Sequence, residues 1–140
     1  MTNEEYDQRV EEILSADRRF ARAAYSFVAD AVSHTTKALR EKGGEGPRHI
    51  SGQQLLEGIR EYALAQFGPL ALDVLTDWGV CRTEDFGAIV FAMVGKKLLG
   101  ASEEDSPADF ADSYDFREAF LRPFLAPEGP VPPLAPIDED

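Results

Sequence analysis

Apolar residues recur along most of this chain at spacings of three and four, which predicts helices rather than strands. Tyr6, Val10, Ile13 and Leu14 share one face of a short helix over 4–14, and Thr2 with Glu5 fits a capping box at its start. The longest regular run covers 18–41, where Phe20, Ala24, Phe27, Val28, Ala31, Val32, Thr35 and Leu39 keep the period and Asp17 is placed as N-cap. Gly43 to Pro47 then break the pattern. Ser51 and Gln54 form a second capping box before a stripe of Leu55, Leu56, Ile59, Ala63 and Phe67. Gly68 suits the position just past a helix end and Pro69 the first turn of the next. That next helix carries Leu70, Val74, Leu75 and Trp78 and stops at Gly79. After the connector Val80-Cys81-Arg82, Thr83 is expected to cap a last helix over 84–98. Glu84 and Asp85 complement the dipole in its first turn, Phe86, Ile89, Val90, Met93, Val94 and Leu98 face inward, and Gly100 closes it.

The expected fold is mainly α: a compact five-helix domain with a helix-turn-helix-like unit in its second half. Two readings stay open for 98–116. The segment forms a short β-hairpin, giving a winged-helix-like outline, or it forms helical turns that lay Phe110, Phe116 and Phe120 on the body. From Pro123 the composition changes. Pro127, Pro130, Pro132, Pro133 and Pro136 precede Asp138-Glu139-Asp140, the makings of an extended tail with too little apolar material for a core. The division is therefore a helical domain over 1–122 and a proline-rich acidic tail over 123–140.

A chain of 140 residues buries roughly two-thirds of its unfolded surface in a single core. The lone cysteine, Cys81, excludes an internal disulfide and a thiolate zinc site and suits a cytoplasmic location. Neither a secretory leader nor a membrane-spanning run is expected from the pattern. The net charge of −12 is uneven: residues 101–140 hold 11 of the 26 acidic side chains and 2 of the 14 basic ones. The acidity belongs to the C-terminal part, and general nucleic-acid binding is disfavoured without excluding a local site on the near-neutral body.

Candidate chemistry is sparse. His49 and Ser51, two residues apart before a helix, read as a capping arrangement rather than as base and nucleophile. His34 has no ligand partner at metal spacing. Arg82 beside Cys81 would lower a thiol pKa, yet an inert thiol in a connector is the simpler account. The carboxylates Asp105, Asp109, Asp112 and Asp115 lack the spacing of a calcium loop. Asp85-Phe86-Gly87 matches a kinase tripeptide without the rest of a kinase. No catalytic group, cofactor site or metal site is assigned. Glycines inside predicted helices, each costing about 1 kcal/mol against alanine, are the local anomaly. Gly52, Gly58 and Gly87 mark faces approached closely by another helix or by a partner.

Tyr25-x-Phe27, His49-x-Ser51-Gly52-x-x-Leu55-Leu56-x-Gly58, Phe67-Gly68, Trp78-Gly79, Thr83-x-Asp85-Phe86-Gly87-x-Ile89-Val90-Phe91 and Tyr114-Asp115-Phe116 form a combined string over about residues 20–120. It resembles an uncharacterised bacterial family known mainly from planctomycete and verrucomicrobial genomes. The resemblance implies a soluble bacterial protein and brings no activity, cofactor or site residue.

Three functional readings follow. The first, and preferred, is a non-enzymatic protein–protein interaction module. Its expected surface comprises Arg18, Arg19, Arg22, Lys37, Arg40 and Arg48 with the faces marked by Gly52, Gly58 and Gly87, and the acidic tail either engages a basic partner or folds back over those cations. The second is a nucleic-acid-binding regulator using the helix-turn-helix-like unit, against which Glu84 and Asp85 stand at the head of the recognition helix. The third is a small-ligand carrier with a pocket lined by Tyr25, Phe27, Tyr62, Phe67 and Trp78.

Overall fold

The computed structural model describes residues 2–43, 50–100 and 105–125. Arg48, His49 and the tail from residue 126 onward, on which several expectations fall, lie outside them.

Among the described residues five α-helices form: α1 (Asn3–Ala16), α2 (Arg22–Gly43), α3 (Gly52–Phe67), α4 (Ala71–Asp77) and α5 (Thr83–Gly95). Thr2 Oγ1 accepts the Glu5 amide at 3.1 Å and starts α1. At α3 the box is complete, with Ser51 Oγ taking the Gln54 amide and Gln54 Oε1 taking the Ser51 amide. Gly68 ends α3 at φ 53°, ψ −131°, a region open to glycine. Gly79 ends α4 at φ 88° in a Schellman motif, where the Val80 amide reaches Leu75 O and the Gly79 amide reaches Thr76 O. No described helix is long and apolar enough to cross a membrane.

Three boundaries differ from expectation, each for a tertiary reason. Asp17 is not the N-cap of α2, which starts at Arg22. Its carboxylate grips the Arg19 amide and guanidinium, and these bonds hold it well below the usual carboxylate range. Residues 17–21 instead form a connector docked on the end of α4, where the Ala21 amide donates to Trp78 O at 3.0 Å. Gly79 permits this, because Arg19 O occupies the place where a Cβ would stand. Thr83 is not a cap either. It is fully buried, and its Oγ1 accepts the Ser113 amide from across the fold. Helix α5 stops at Gly95 rather than near Gly100, in a second Schellman motif. There Lys97 takes the left-handed position at φ 61° and the Leu98 amide returns to Met93 O.

The core joins α2, α3 and α5, with α1 laid across α2 and α5 through Val10 and Ile13. The helix order that resembles a helix-turn-helix is present, but its members have different partners. Helix α4 rests on α3, whereas α5 packs with α1, α2 and the turn at Pro107–Phe110.

The hairpin expected near 98–116 is not formed: the described residues contain no strand. Ser106 and Asp109 close a 3-10 turn through a reciprocal capping box over Pro107, which turns the chain where a strand would run on. Phe110 then buries against Phe91, and Phe116 against Phe86 and Phe120. Besides the Ser113–Thr83 bond to α5, the segment is fastened to α3 beneath it. Gln53 Nε2 donates to Asp109 O at 2.9 Å, Ser113 Oγ bonds Gln53 Oε1 at 3.0 Å, and Tyr114 donates its hydroxyl to Leu56 O at 2.9 Å. Arg117–Leu121 continues as a π-helix and Arg122–Phe124 as a 3-10 turn.

Candidate functional site

Helix geometry brings Ala23, Ser26, Phe27 and Asp30 to one side of α2, and Tyr62 and Gln66 to the facing side of α3. Phe67 is the last residue of α3, and Trp78 caps the C-terminus of α4. Between them runs a groove of about 550 Å3. Phe27 is buried at its floor, with ring centroids 5.4 Å from Tyr62, 5.7 Å from Phe67 and 5.6 Å from Trp78. Phe67 meets Trp78 edge-on at 5.6 Å, and His34 extends the row by stacking on Tyr62 at 5.3 Å.

Tyr62, Phe67 and Trp78 are only half-buried, so this aromatic row is part of the surface. Neither the Tyr62 hydroxyl nor the Trp78 indole N–H donates to another described residue. The groove thus offers large apolar faces tipped with unused donors, a combination enriched where proteins bind one another. Its rim carries both signs of charge. Arg22 is engaged by Glu11 and, at 3.9 Å, by Asp7, while Asp30 has no ion pair among the described residues.

Of the five aromatics expected to line a pocket, four do. Tyr25 does not: two positions before Phe27 it points to the opposite side of α2, 1% exposed and edge-on to Phe20. Burial there pushes its hydroxyl pKa up.

The basic residues do not gather into one patch. Arg18 is exposed on the connector, and Arg19 forks onto Asp17 at 2.8 Å with its guanidinium 4.9 Å above the Phe20 ring. Lys37 and Arg40 are exposed toward the far end of α2, about 22 and 27 Å from Arg22 by helical rise, with no ion pair among the described residues. Arg48 lies outside those residues.

The glycine faces are filled from within the chain. A Cβ on Gly58 would stand 2.8 Å from Thr35 Cβ, one on Gly52 2.8 Å from Asp109 Cβ, and one on Gly87 2.8 Å from Phe110 Cβ. Of the two approaches the glycines allowed, the structure displays packing of the molecule on itself.

The remaining candidates serve local structure. Asp85 accepts the Cys81 amide at 2.9 Å, Phe86 is core, and Cys81 is exposed. Asp109 closes the turn at Ser106, and Asp115 accepts the Glu118 amide. Along α5, Thr83, Phe86, Gly87, Ile89, Val90 and Met93 are all buried. What the sequence did not reveal is the rim formed by Arg22 and Asp30 and the stacking of His34, because these depend on how α1, α2 and α3 cross. In comparisons with family models, curated proteins and solved structures, this chain has no match.

Proposed function

We propose that this protein is a non-enzymatic interaction module whose binding face is the aromatic groove between α2 and the α3–α4 pair. The observation that carries the reading is the row Tyr62, Phe67 and Trp78. These are three large rings left partly exposed over buried Phe27, with two donors that bond no other described residue. Rigid aromatics of this kind bury large area at little conformational cost and dominate binding energy at interfaces. The groove opens to solvent between its aromatic walls, which suits a peptide laid across it. A small ligand usually requires a cleft that covers most of its surface.

The nucleic-acid reading draws less support. A recognition helix must lay one face in the major groove. Helix α5 gives its faces to α1, α2 and the 107–110 turn, and begins with Glu84 and Asp85.

Selection of extended peptides against the purified chain, followed by titration of the selected sequences, tests the proposal. Binding should quench or shift the fluorescence of Trp78, the single tryptophan. Tyr62→Glu should abolish binding while leaving the far-UV spectrum and thermal midpoint close to those of the parent. Selected peptides that bind Tyr62→Glu as well as the parent overturn it.

A further inference from the structure

We propose that the groove takes an arginine side chain of a partner peptide, its guanidinium lying against the Tyr62 ring and bonded to the Asp30 carboxylate. This rests on the reading of the groove as a binding face and names the chemistry that the face selects.

The α2 wall sets the place. Phe27, Asp30 and His34 stand on successive turns of the same side of α2. Tyr62 reaches both ends of that run, with ring centroids 5.4 Å from Phe27 and 5.3 Å from His34. The Asp30 side chain therefore emerges beside the Tyr62 ring, and both line the groove. Asp30 is exposed, and it has neither a hydrogen bond nor an ion pair among the described residues.

The cations of α2 stand off from this carboxylate. Arg22 lies about 12 Å earlier along the helix axis and is held by Glu11 and Asp7. Lys37 lies about 10 Å later. On the α1 side of the groove, Asp7, Glu11 and Asp30 outnumber Arg22. The charge of Asp30 also reaches Tyr6 on α1, where it adds to burial in raising the hydroxyl pKa. The field at this end of the groove favours a cation, and the net charge of −12 draws cationic partners from further out.

The rings and the carboxylate together decide which cation. An aromatic face attracts positive charge through its quadrupole. A carboxylate without a donor needs N–H groups, which a quaternary ammonium lacks. Guanidinium meets both demands: it is planar, stacks on rings, is weakly hydrated and presents a fork of donors that matches a carboxylate. The lysine ammonium is a compact, strongly hydrated point charge and gives up more water to lie on a ring. Further along the groove, Phe67 and Trp78 offer apolar surface to the arginine stem or to a neighbouring side chain of the peptide. Gln66, which bonds no other described residue, is placed to hold the peptide backbone.

The experiment titrates the full chain with short capped peptides that are identical except for a central arginine, lysine, trimethyl-lysine, citrulline or glutamate. Binding is followed by Trp78 emission and by the anisotropy of a dye on the peptide. The arginine peptide should bind tightest. Citrulline, its neutral analogue of the same shape, should bind about tenfold more weakly, with lysine between them and glutamate not bound. Asp30→Asn should bring the arginine peptide down to the level of citrulline while leaving the thermal midpoint unchanged. Asp30→Lys should reverse the preference in favour of glutamate. Tyr62→Leu, which keeps apolar area but removes the ring face, should narrow the gap between arginine and citrulline. Equal binding of those two peptides by the parent, or an arginine preference that survives Asp30→Asn, overturns the proposal. Tightest binding of the trimethyl-lysine peptide overturns it in favour of a cage that needs no donor. If every peptide binds alike and in a Tyr62-dependent way, the arginine assignment alone falls. If none binds and peptide selection also yields nothing, the groove reading falls with it.

Discussion

Thr35 occupies the space that a side chain on Gly58 would need. Its Cβ and Cγ2 lie 2.8 and 2.9 Å from where a Cβ on Gly58 would stand, and its Oγ1 is closer still. Thr35 has little freedom to retreat, because it is buried and its hydroxyl bonds Ala31 O at 2.8 Å. This contact sets how closely α2 and α3 approach, and so how near Phe27 comes to Tyr62.

Gly58→Ala should therefore destabilise the protein despite alanine's better helix propensity. Overpacking costs about 1–3 kcal/mol or more, against about 1 kcal/mol gained. Chemical denaturation should show a net loss of up to about 2 kcal/mol. Adding Thr35→Ala should recover part of it, giving a coupled double-mutant cycle. Additive losses would remove the contact as the cause.

The same substitution at Gly95 should have the opposite sign. No atom lies within 4 Å of a Cβ placed there, in the last turn of α5. Gly95→Ala should raise stability by about 0.4–1 kcal/mol, read as an increase in denaturation midpoint at unchanged slope.

Lys97 holds a left-handed conformation that strains an L side chain and is free to glycine. Lys97→Gly should stabilise by about 0.5–1 kcal/mol, seen as a higher thermal midpoint. A lower midpoint would mean that the lysine side chain holds something the backbone argument omits.

Tyr114 gives an alkaline signature. Burial pushes its hydroxyl pKa well above the usual tyrosine value, and the hydroxyl donates to Leu56 O. A pKa raised on folding contributes stability in full below the unfolded value, near pH 10, and loses it as pH climbs toward the folded value. Tyr25 and Tyr6 are raised too, both mainly by burial, and act in the same direction. Stability should thus fall as pH rises above about 10. Tyr114→Phe should cost about 1 kcal/mol at neutral pH and flatten the alkaline loss, followed by denaturant titration beside phenolate absorbance.

Much of the helical frame was legible because its signals are local. The Ser51–Gln54 box, Thr2 as a cap and the turns at Gly68 and Gly79 each depend on a few consecutive residues. What escaped depends on distant ones. Thr83 looks like a cap until Ser113, thirty positions later, claims its hydroxyl. Asp17 looks like one until Trp78 takes the Ala21 amide and delays α2. Gly52 and Gly87 announce a close approach without saying that Asp109 and Phe110 make it. The groove was half-legible. Phe27, Tyr62, Phe67 and Trp78 stand at helical spacings that suit core and pocket alike, and only the crossing of α2 and α3 decides that their rings stay partly uncovered. Tyr25 belongs to the same run and is wholly enclosed.

The segment after residue 105 seats Phe110, Phe116 and Phe120 over α3 and α5, and this bears on how the protein is made. At a synthesis rate of about 5–20 residues per second, α5 is complete roughly 1–5 s before Phe120 is added. Throughout that interval the faces bearing Gly52 and Gly87 have nothing to close on. A chain released at Gly100 would carry all five helices without Phe110, Phe116 and Phe120, and their shared core would stay open to water. In such a fragment, capture by a chaperone or self-association would compete with folding.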